Sequence, residues 1–319
     1  MTTKPGWKDL NDYSVVKDRS AIITGGASGL GEATVTTYVQ NGAYVTIADY
    51  DEERGKKLAE KLSSEGGSVS FVRCNTASWD DCVAAFKHAV NFSPSKTLDI
   101  AVLFAGHAGA AIPLVQEVIQ NSPEPSIDDI PKMPNHSAID VNLLGVYYST
   151  YLALHYFRLS SPNQSKLKKS LVLISSIMGY IDGTYNTDYN ASKFGVRAIF
   201  RSLRSQGQKV NCRVNNILPG YILTPLTKRQ HQIDDPREPS KATGFVLPWA
   251  PIEYVTEGVG RCVCNENCNG RSFAILPSGV HDIDEDVETG WGGEKLAGLL
   301  EQDGFFDIPN LIPRKSQYS

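Results

Sequence analysis

Tyr189 and Lys193 stand four residues apart in the run Y-N-A-S-K. On a helix, positions i and i+4 share a face, so the phenol and the ammonium point the same way. An ordinary tyrosine titrates near pH ~10 and is a poor base at neutral pH. A neighbouring cation stabilises its phenolate and fits it for proton transfer. Upstream, Ser175 and Ser176 close the apolar run L-V-L-I-S-S, and no G-x-S-x-G elbow surrounds them, which argues against a nucleophilic hydrolase. A second chemical feature is T-G-G-A-S-G-L-G, Thr24 to Gly31. Gly25 and Gly29 can take backbone angles closed to other residues, and Gly31 lets a following helix lie close to a sheet. The helix start would offer free N–H groups and a positive dipole end to a pyrophosphate. Asp49 follows Gly31 by eighteen residues. A carboxylate there accepts hydrogen bonds from the adenosine ribose hydroxyls and repels a 2′-phosphate.

The elements that must position these groups are legible as an alternation. Short apolar, β-branched runs predict strands at Ser20–Thr24, Tyr44–Asp49, Ser68–Arg73, Ile100–Ala105, Ser170–Ser175, Arg213–Leu218 and Ser272–Leu276. Their nearly continuous apolar character suits strands buried on both faces of a parallel sheet. Helical patterns fall between them, among others at Gly31–Gln40, Glu52–Ser64 and Trp79–Val90. Strand–helix alternation predicts an α/β fold with a single doubly wound parallel sheet of about seven strands, a Rossmann fold with helices on both faces. The chain reads as one unit over residues 1–319, with a core at about 18–279 and a C-terminal extension at 280–319. Residues 107–136 and 221–250 break the rhythm, are rich in proline and follow strands. Loops at the carboxyl ends of strands line the ligand crevice of open α/β sheets. These two stretches are therefore the expected substrate pocket, and Ile112, Leu114, Val115, Tyr221, Phe245 and Trp249 give it an apolar character.

Composition narrows the partners. Hydrophobic residues at 41% and charged residues at 21% describe a globular chain. A net charge of −4 supplies no excess of cations to bind nucleic acid or an acidic membrane surface. The first residues contain no apolar signal region, and runs such as I-A-V-L-F-A-G are too short to span a bilayer, so a cytoplasmic location is expected. Cys262, Cys264 and Cys268 form the cluster C-V-C-N-E-N-C, which lacks a nearby histidine and a C-x2-C pair. Structural thiols are expected there rather than zinc, with a redox-sensitive Cys268 as the second reading, and no metal is expected.

The glycine spacing is T-G-x-x-x-G-x-G, not G-x-G-x-x-G, and with Y-N-A-S-K it resembles the short-chain dehydrogenases/reductases from about Asp18 to Gly279. The C-terminal stretch and the loop insertions resemble fungal members that serve secondary metabolism. The resemblance implies a nicotinamide cofactor held by Thr24, Gly25, Ser28, Gly29, Leu30 and Gly31, with Asp49 on the ribose and Asn75 facing the adenine. It implies further contacts from the Ala105–Gly106 backbone, from Pro219, Ile222 and Thr224, and from Tyr189 and Lys193. It assigns the catalytic positions to Ser176, Tyr189, Lys193 and Asn142. Ser176 rather than Ser175 matches the family's thirteen-residue separation from the tyrosine, and would polarise the substrate oxygen. Asn142, in V-N-L-L-G-V, matches the residue that holds a water of a proton relay behind the lysine. NADP-preferring members usually carry a basic residue before the second motif glycine or after the second strand. Ser28 and Tyr50 stand there, so NAD is the expected cofactor.

Two departures from the family pattern are visible. The usual Asn-Asn-Ala-Gly appears as Leu103-Phe104-Ala105-Gly106, and the usual adenine-binding Asp as Asn75. The expected function is NAD-dependent oxidation of a secondary alcohol on a bulky apolar small molecule to a ketone. The alternatives are an NADPH-dependent ketoreductase and a non-catalytic dinucleotide sensor on the same fold. The helices around Asn142 and Tyr189 read as apolar on more than one face, and family members commonly associate there, so a homodimer or homotetramer is expected.

Overall fold

In the computed structural model, residues 11–109, 112–161, 166–181, 186–242 and 244–283 are described. Strands β1 (Ser20–Thr24), β2 (Tyr44–Asp49), β3 (Val69–Arg73), β4 (Ile100–Leu103), β5 (Lys169–Ile174), β6 (Cys212–Pro219) and β9 (Ser272–Leu276) form parallel neighbours in one sheet. The sheet continues into β10 (Gly279–Asp282), and its order is β10-β9-β6-β5-β4-β1-β2-β3. The chain thus winds outward from β1 to β3, then crosses back to lay β4 on the other side of β1. That reversal between β1 and β4 is the topological switch point, where the loops diverge and leave a crevice.

Burial follows from position. Every residue of β1, β4, β5 and β6 is buried, as central strands covered on both faces must be. One face carries α1 (Gly29–Gln40), α2 (Glu52–Ser64) and α8 (Glu253–Cys264), packed through Val35, Leu58, Leu62, Val255 and Val259 onto Val45, Ile47 and Phe273. The other carries α3 (Trp79–Phe92), α5 (Gly145–Tyr156) and α6 (Thr187–Leu203), which press Phe86, Leu152, Val196 and Phe200 onto Ile22, Leu171 and Val214. At the end of the sheet away from the glycine turn, buried Lys169 Nζ donates to Asp99 Oδ1 at 2.7 Å, and Asp99 Oδ2 accepts from the Ser20 backbone. This ties the starts of β1, β4 and β5 together.

The expected parallel sheet is present with an eighth strand added at its edge, and two expectations are corrected. β10 turns back antiparallel on β9 through Pro277–Ser278, with Gly279 at φ +126°, so the sheet runs on to Asp282 into what reads as an extension. A short, polar edge strand carries almost no periodic signal. The fourth strand ends at Leu103, not Ala105, because the Phe104 N–H donates to Thr24 O and the Ala105 N–H to Thr24 Oγ1, which bends the chain toward the glycine turn. The two proline-rich stretches are not irregular throughout. The first holds α4 (Leu114–Asn121); the second holds β7 (Tyr221–Ile222), α7 (Pro225–His231) and β8 (Trp249–Ala250). Of the extension, residues 284–319 lie outside the described residues.

Candidate active site

The glycine turn leaves β1 at Thr24 and enters α1 at Gly29. Gly25 has φ +67° and Gly29 φ +54°, both in the left-handed region that favours glycine. A Cβ on Gly25 would stand 2.6 Å from the Ala105 nitrogen, and one on Gly31 only 2.1 Å from the Gly25 carbonyl oxygen. The turn is therefore packed backbone to backbone against the chain leaving β4. Ser28, at the N-cap of α1, makes no side-chain capping bond, so no capping oxygen serves the first-turn N–H groups around Leu30 and Gly31. A diphosphate fits such a cradle: glycine surfaces allow close approach, and the helix start supplies donors and a positive dipole end.

Asp49 ends β2 beside this turn. Its Oδ2 accepts from the Ala27 N–H at 2.9 Å and its Oδ1 from the Asp51 N–H at 3.0 Å. The second lone pair of each oxygen is left for a ribose hydroxyl. Asn75 follows β3 and spends its side-chain oxygen on the Ala77 N–H at 3.1 Å, shaping the turn into α3, and here too one lone pair remains. From the far side of the crevice, Thr224 closes on the glycine turn: a Cβ on Gly29 would lie 3.2 Å from the Thr224 Cβ. Thr224 caps α7 in a reciprocal arrangement with Thr227, whose hydroxyl also donates to the Ile222 carbonyl at 2.7 Å.

The proton-transfer group assembles from β5, α6 and the chain after β6. Ser176 follows β5, accepts from the Met178 N–H at 3.2 Å and donates to the Pro219 carbonyl at 3.3 Å. Its hydroxyl also lies close enough to the Tyr189 phenol to lower its pKa. Ser175 is used differently: its hydroxyl donates to the Lys193 carbonyl at 2.8 Å and locks α6 to β5. Lys193 is buried, with Nζ 5.5 Å from the centroid of the Tyr189 ring and donating to the Ile174 carbonyl at 3.0 Å. Burial pushes the Tyr189 phenol up, and the neighbouring Ser176 offsets part of the rise. Burial likewise lowers the Lys193 ammonium to about 8. Lys193 thus still carries its charge at neutral pH, and it stands where a phenolate needs one.

Asn142 is fully buried in a π turn, Ile139–Leu144, that leads into α5; such wide turns concentrate at functional sites. Its Oδ1 accepts from the His107 N–H at 2.6 Å, and its Nδ2 donates to the His107 carbonyl at 2.9 Å and to Ser192 Oγ at 3.2 Å. Ser192 in turn donates to the Tyr189 carbonyl at 2.6 Å. One amide therefore joins the loop after β4 to the helix bearing Tyr189 and Lys193. With Thr24, it fastens the chain after β4 where the family's asparagine is replaced by Phe104, and Phe104 packs on the core instead. Sequence reasoning missed Ser192 and His107. The serine one turn after Tyr189 was the available signal; His107 takes part through its backbone, which leaves no trace in residue type.

Among the expected pocket residues, Tyr221 and Trp249 come together, with ring centroids 5.8 Å apart. His231, missed in the sequence, completes an edge-on trio at 5.5 Å from Tyr221 and 5.9 Å from Trp249, with Nδ1 2.9 Å from Ser240 Oγ. Leu114, Val115 and Phe245 remain exposed. Cys262 and Cys268 are fully buried and Cys264 partly so, and burial pushes the Cys262 thiol well up, away from reactivity. Among the described residues, no group of three or more His, Cys, Asp or Glu could hold a metal ion, and no helix is long and apolar enough to cross a membrane.

A glycine cradle at the switch point of a parallel sheet, with a Ser–Tyr–Lys group after β5 and on α6, is the arrangement of a dinucleotide-dependent oxidoreductase. The short chain dehydrogenase family matches residues 19–234, and the chain belongs to that family. It is 41% identical to a 5′-hydroxyaverantin dehydrogenase of Dothistroma septosporum over 297 residues, covering 91% of this chain and 95% of that protein. It is 35% identical to the corresponding dehydrogenase of Emericella nidulans, over 93% and 97% of the two chains. An NADP-dependent dehydrogenase of Cochliobolus lunatus is 34% identical, over 84% and 92%. The solved 3-hydroxyacyl-CoA dehydrogenase type-2 of Mycobacterium avium superposes with a TM-score of 0.64 at 28% identity, covering 83% of this chain and 96% of that one. The resemblance to fungal members is thus matched by fungal relatives nearly coextensive with this chain.

Proposed function

We propose that this protein oxidises a secondary alcohol on a bulky apolar small molecule to a ketone, with NAD as its cofactor. The observation that carries the reading is the Tyr189 phenol beside Ser176, with Lys193 Nζ 5.5 Å from the centroid of its ring. Ser176 orients the substrate hydroxyl, Tyr189 takes its proton, and Lys193 holds the phenolate form through its charge. A bound nicotinamide would supply the hydride acceptor, and its positive ring would offset part of the burial that pushes the Tyr189 phenol up. Asn142 keeps the loop after β4 and α6 in register behind Lys193, where a relay water would stand. The cradle from Thr24 to Gly31, with Ala105, Gly106, Asn75, Pro219, Ile222 and Thr224 around it, would hold the dinucleotide, and Asp49 its ribose.

The apolar character of the substrate is supported by Tyr221 and Trp249 beyond Tyr189, and by relatives named for the oxidation of hydroxyaverantin. A location in the cytoplasm and self-association into dimers or tetramers complete the reading. A second reading, an NADPH-dependent ketoreductase, is favoured by the NADP-dependent relatives. Steady-state turnover of a panel of polycyclic and aliphatic alcohols and ketones with each cofactor separates the two. On whichever substrate turns over, Tyr189→Phe is expected to lose about 10²- to 10⁴-fold in kcat, the span of general acid–base catalysis. Unchanged turnover would refute the mechanism.

A further inference from the structure

Asp49 and Arg73 are paired residues of the parallel strands β2 and β3, so their side chains leave the same face of the sheet side by side. Such neighbours of opposite charge would ordinarily pair. Here they do not. Each Asp49 oxygen accepts one backbone N–H, from Ala27 and from Asp51, and keeps a lone pair for the ribose. The Arg73 guanidinium instead lies over the Tyr50 ring, 4.7 Å from its centroid. Glu52, the other nearby acid, is ion-paired with Lys56 at 2.7 Å and feels Arg73 only as a weaker, longer-range charge. Among the described residues no carboxylate pairs with Arg73, which is exposed, as is Tyr50 at 65%. A planar cation stacked on an aromatic face keeps its edge donors free, and that edge suits the bidentate binding of a phosphate.

We propose that Arg73, held on Tyr50, is a second cofactor-specificity residue that accepts the 2′-phosphate of NADP beside Asp49. The inference rests on the reading of Asp49 as the ribose-binding carboxylate. Asp49 alone would repel a dianionic phosphate strongly. With a guanidinium next to it, the rim carries one charge of each sign, so the preference for NAD becomes modest and the protein binds both dinucleotides. Because the guanidinium is exposed, its attraction is screened by salt over about 8 Å at physiological ionic strength.

The test is direct binding, without substrate, of NADH and NADPH to the full chain, followed by the fluorescence of the reduced nicotinamide. For Arg73→Gln the expected result is an NADPH Kd raised about tenfold, the loss of one charge-assisted contact, with the NADH Kd changed less than about twofold. The wild-type NADPH Kd should also rise more steeply with NaCl than that of the variant. Arg73 is exposed, so thermal unfolding should be unchanged and loss of fold will not imitate the effect. Equal weakening of both dinucleotides would make Arg73 an adenosine support and overturn the proposal; so would no change in either. Tight binding of NADPH with no preference altered by Asp49→Ala would remove the ribose reading on which the proposal stands. Wild-type binding of neither dinucleotide would overturn the cofactor reading itself, and the Arg73 assignment with it.

Discussion

Lys193 is buried, and the enclosure lowers its ammonium to about 8 from an ordinary 10.5. Below pH ~8 the folded protein carries a buried cation that the unfolded chain would hydrate, so folding bears a cost there. Between about 8 and 10.5 the unfolded chain holds a proton that the folded one has released, and stability from this group rises with pH across that window. Lys193→Met removes the cost. Its advantage over wild type should be largest below pH ~8, on the order of 3 kcal/mol, less about 1 kcal/mol for the lost hydrogen bond to Ile174. Urea unfolding near neutral pH and near pH ~10 reads this directly, and a gap that does not shrink with pH would show that Lys193 is not the titrating group. The stability gained should come with loss of turnover, since the charge that burdens the fold is the one proposed to support the Tyr189 phenolate. That exchange is common where a site is held in a state the fold alone would not choose.

At the scale of elements, the junction between β1 and α1 is the most constrained. Gly31→Ala would set a Cβ 2.1 Å from the Gly25 carbonyl oxygen, and a backbone atom cannot swing aside as a long side chain can. Either α1 lifts from the turn or the turn shifts toward Ala105. The expected cost is about 1–3 kcal/mol of overpacking strain, together with a loss of dinucleotide affinity, because the same shift moves the N–H groups that would meet the diphosphate. Thermal unfolding and dinucleotide titration of Gly31→Ala measure the two effects. Retained affinity at wild-type level would mean that α1 does not need to lie against the turn. On the other side of the crevice, the Asn142 amide makes three hydrogen bonds, to His107 and Ser192, that hold the loop after β4 to α6. Strand β4, helix α6 and the π turn are thus one positioning unit, although they are far apart along the chain.

At the scale of the whole molecule, Tyr147 and Tyr151 of α5, Phe194 of α6 and Trp79 of α3 are all substantially exposed, Tyr147 at 57% and Tyr151 at 59%. Trp79 packs its ring on Tyr151 at 5.9 Å, so these two rings form a shared exposed apolar surface. Such surfaces mark association sites. A dimer or tetramer is therefore expected by size-exclusion chromatography with light scattering, and Tyr147→Glu combined with Phe194→Glu should shift it toward monomer. A wild-type monomer at micromolar concentration would refute the expectation.

Much of this protein can be worked out from the chain alone because it depends on local spacing. The strands announce themselves as continuous apolar runs, since central parallel strands are covered on both faces. The glycine turn is legible because only glycine takes positive φ cheaply, as Gly25 and Gly29 do. Tyr189 and Lys193 are legible because a helix brings i and i+4 to one face. What the sequence could not determine is what distant segments do to one another. The edge strand β10 is too short and polar to carry a period. The division of labour between Ser175, which locks α6, and Ser176, which meets Tyr189, is a matter of side-chain direction once the strand is placed. His231 joins Tyr221 and Trp249 only after α7 folds back over β7. Arg73 reads as an ordinary charge at the end of a strand until the parallel register sets it opposite Asp49, with the Tyr50 ring beneath it. Residue spacing fixes local conformation through short-range sterics, whereas the environment of each group, its burial, partners and field, exists only when the chain has closed on itself.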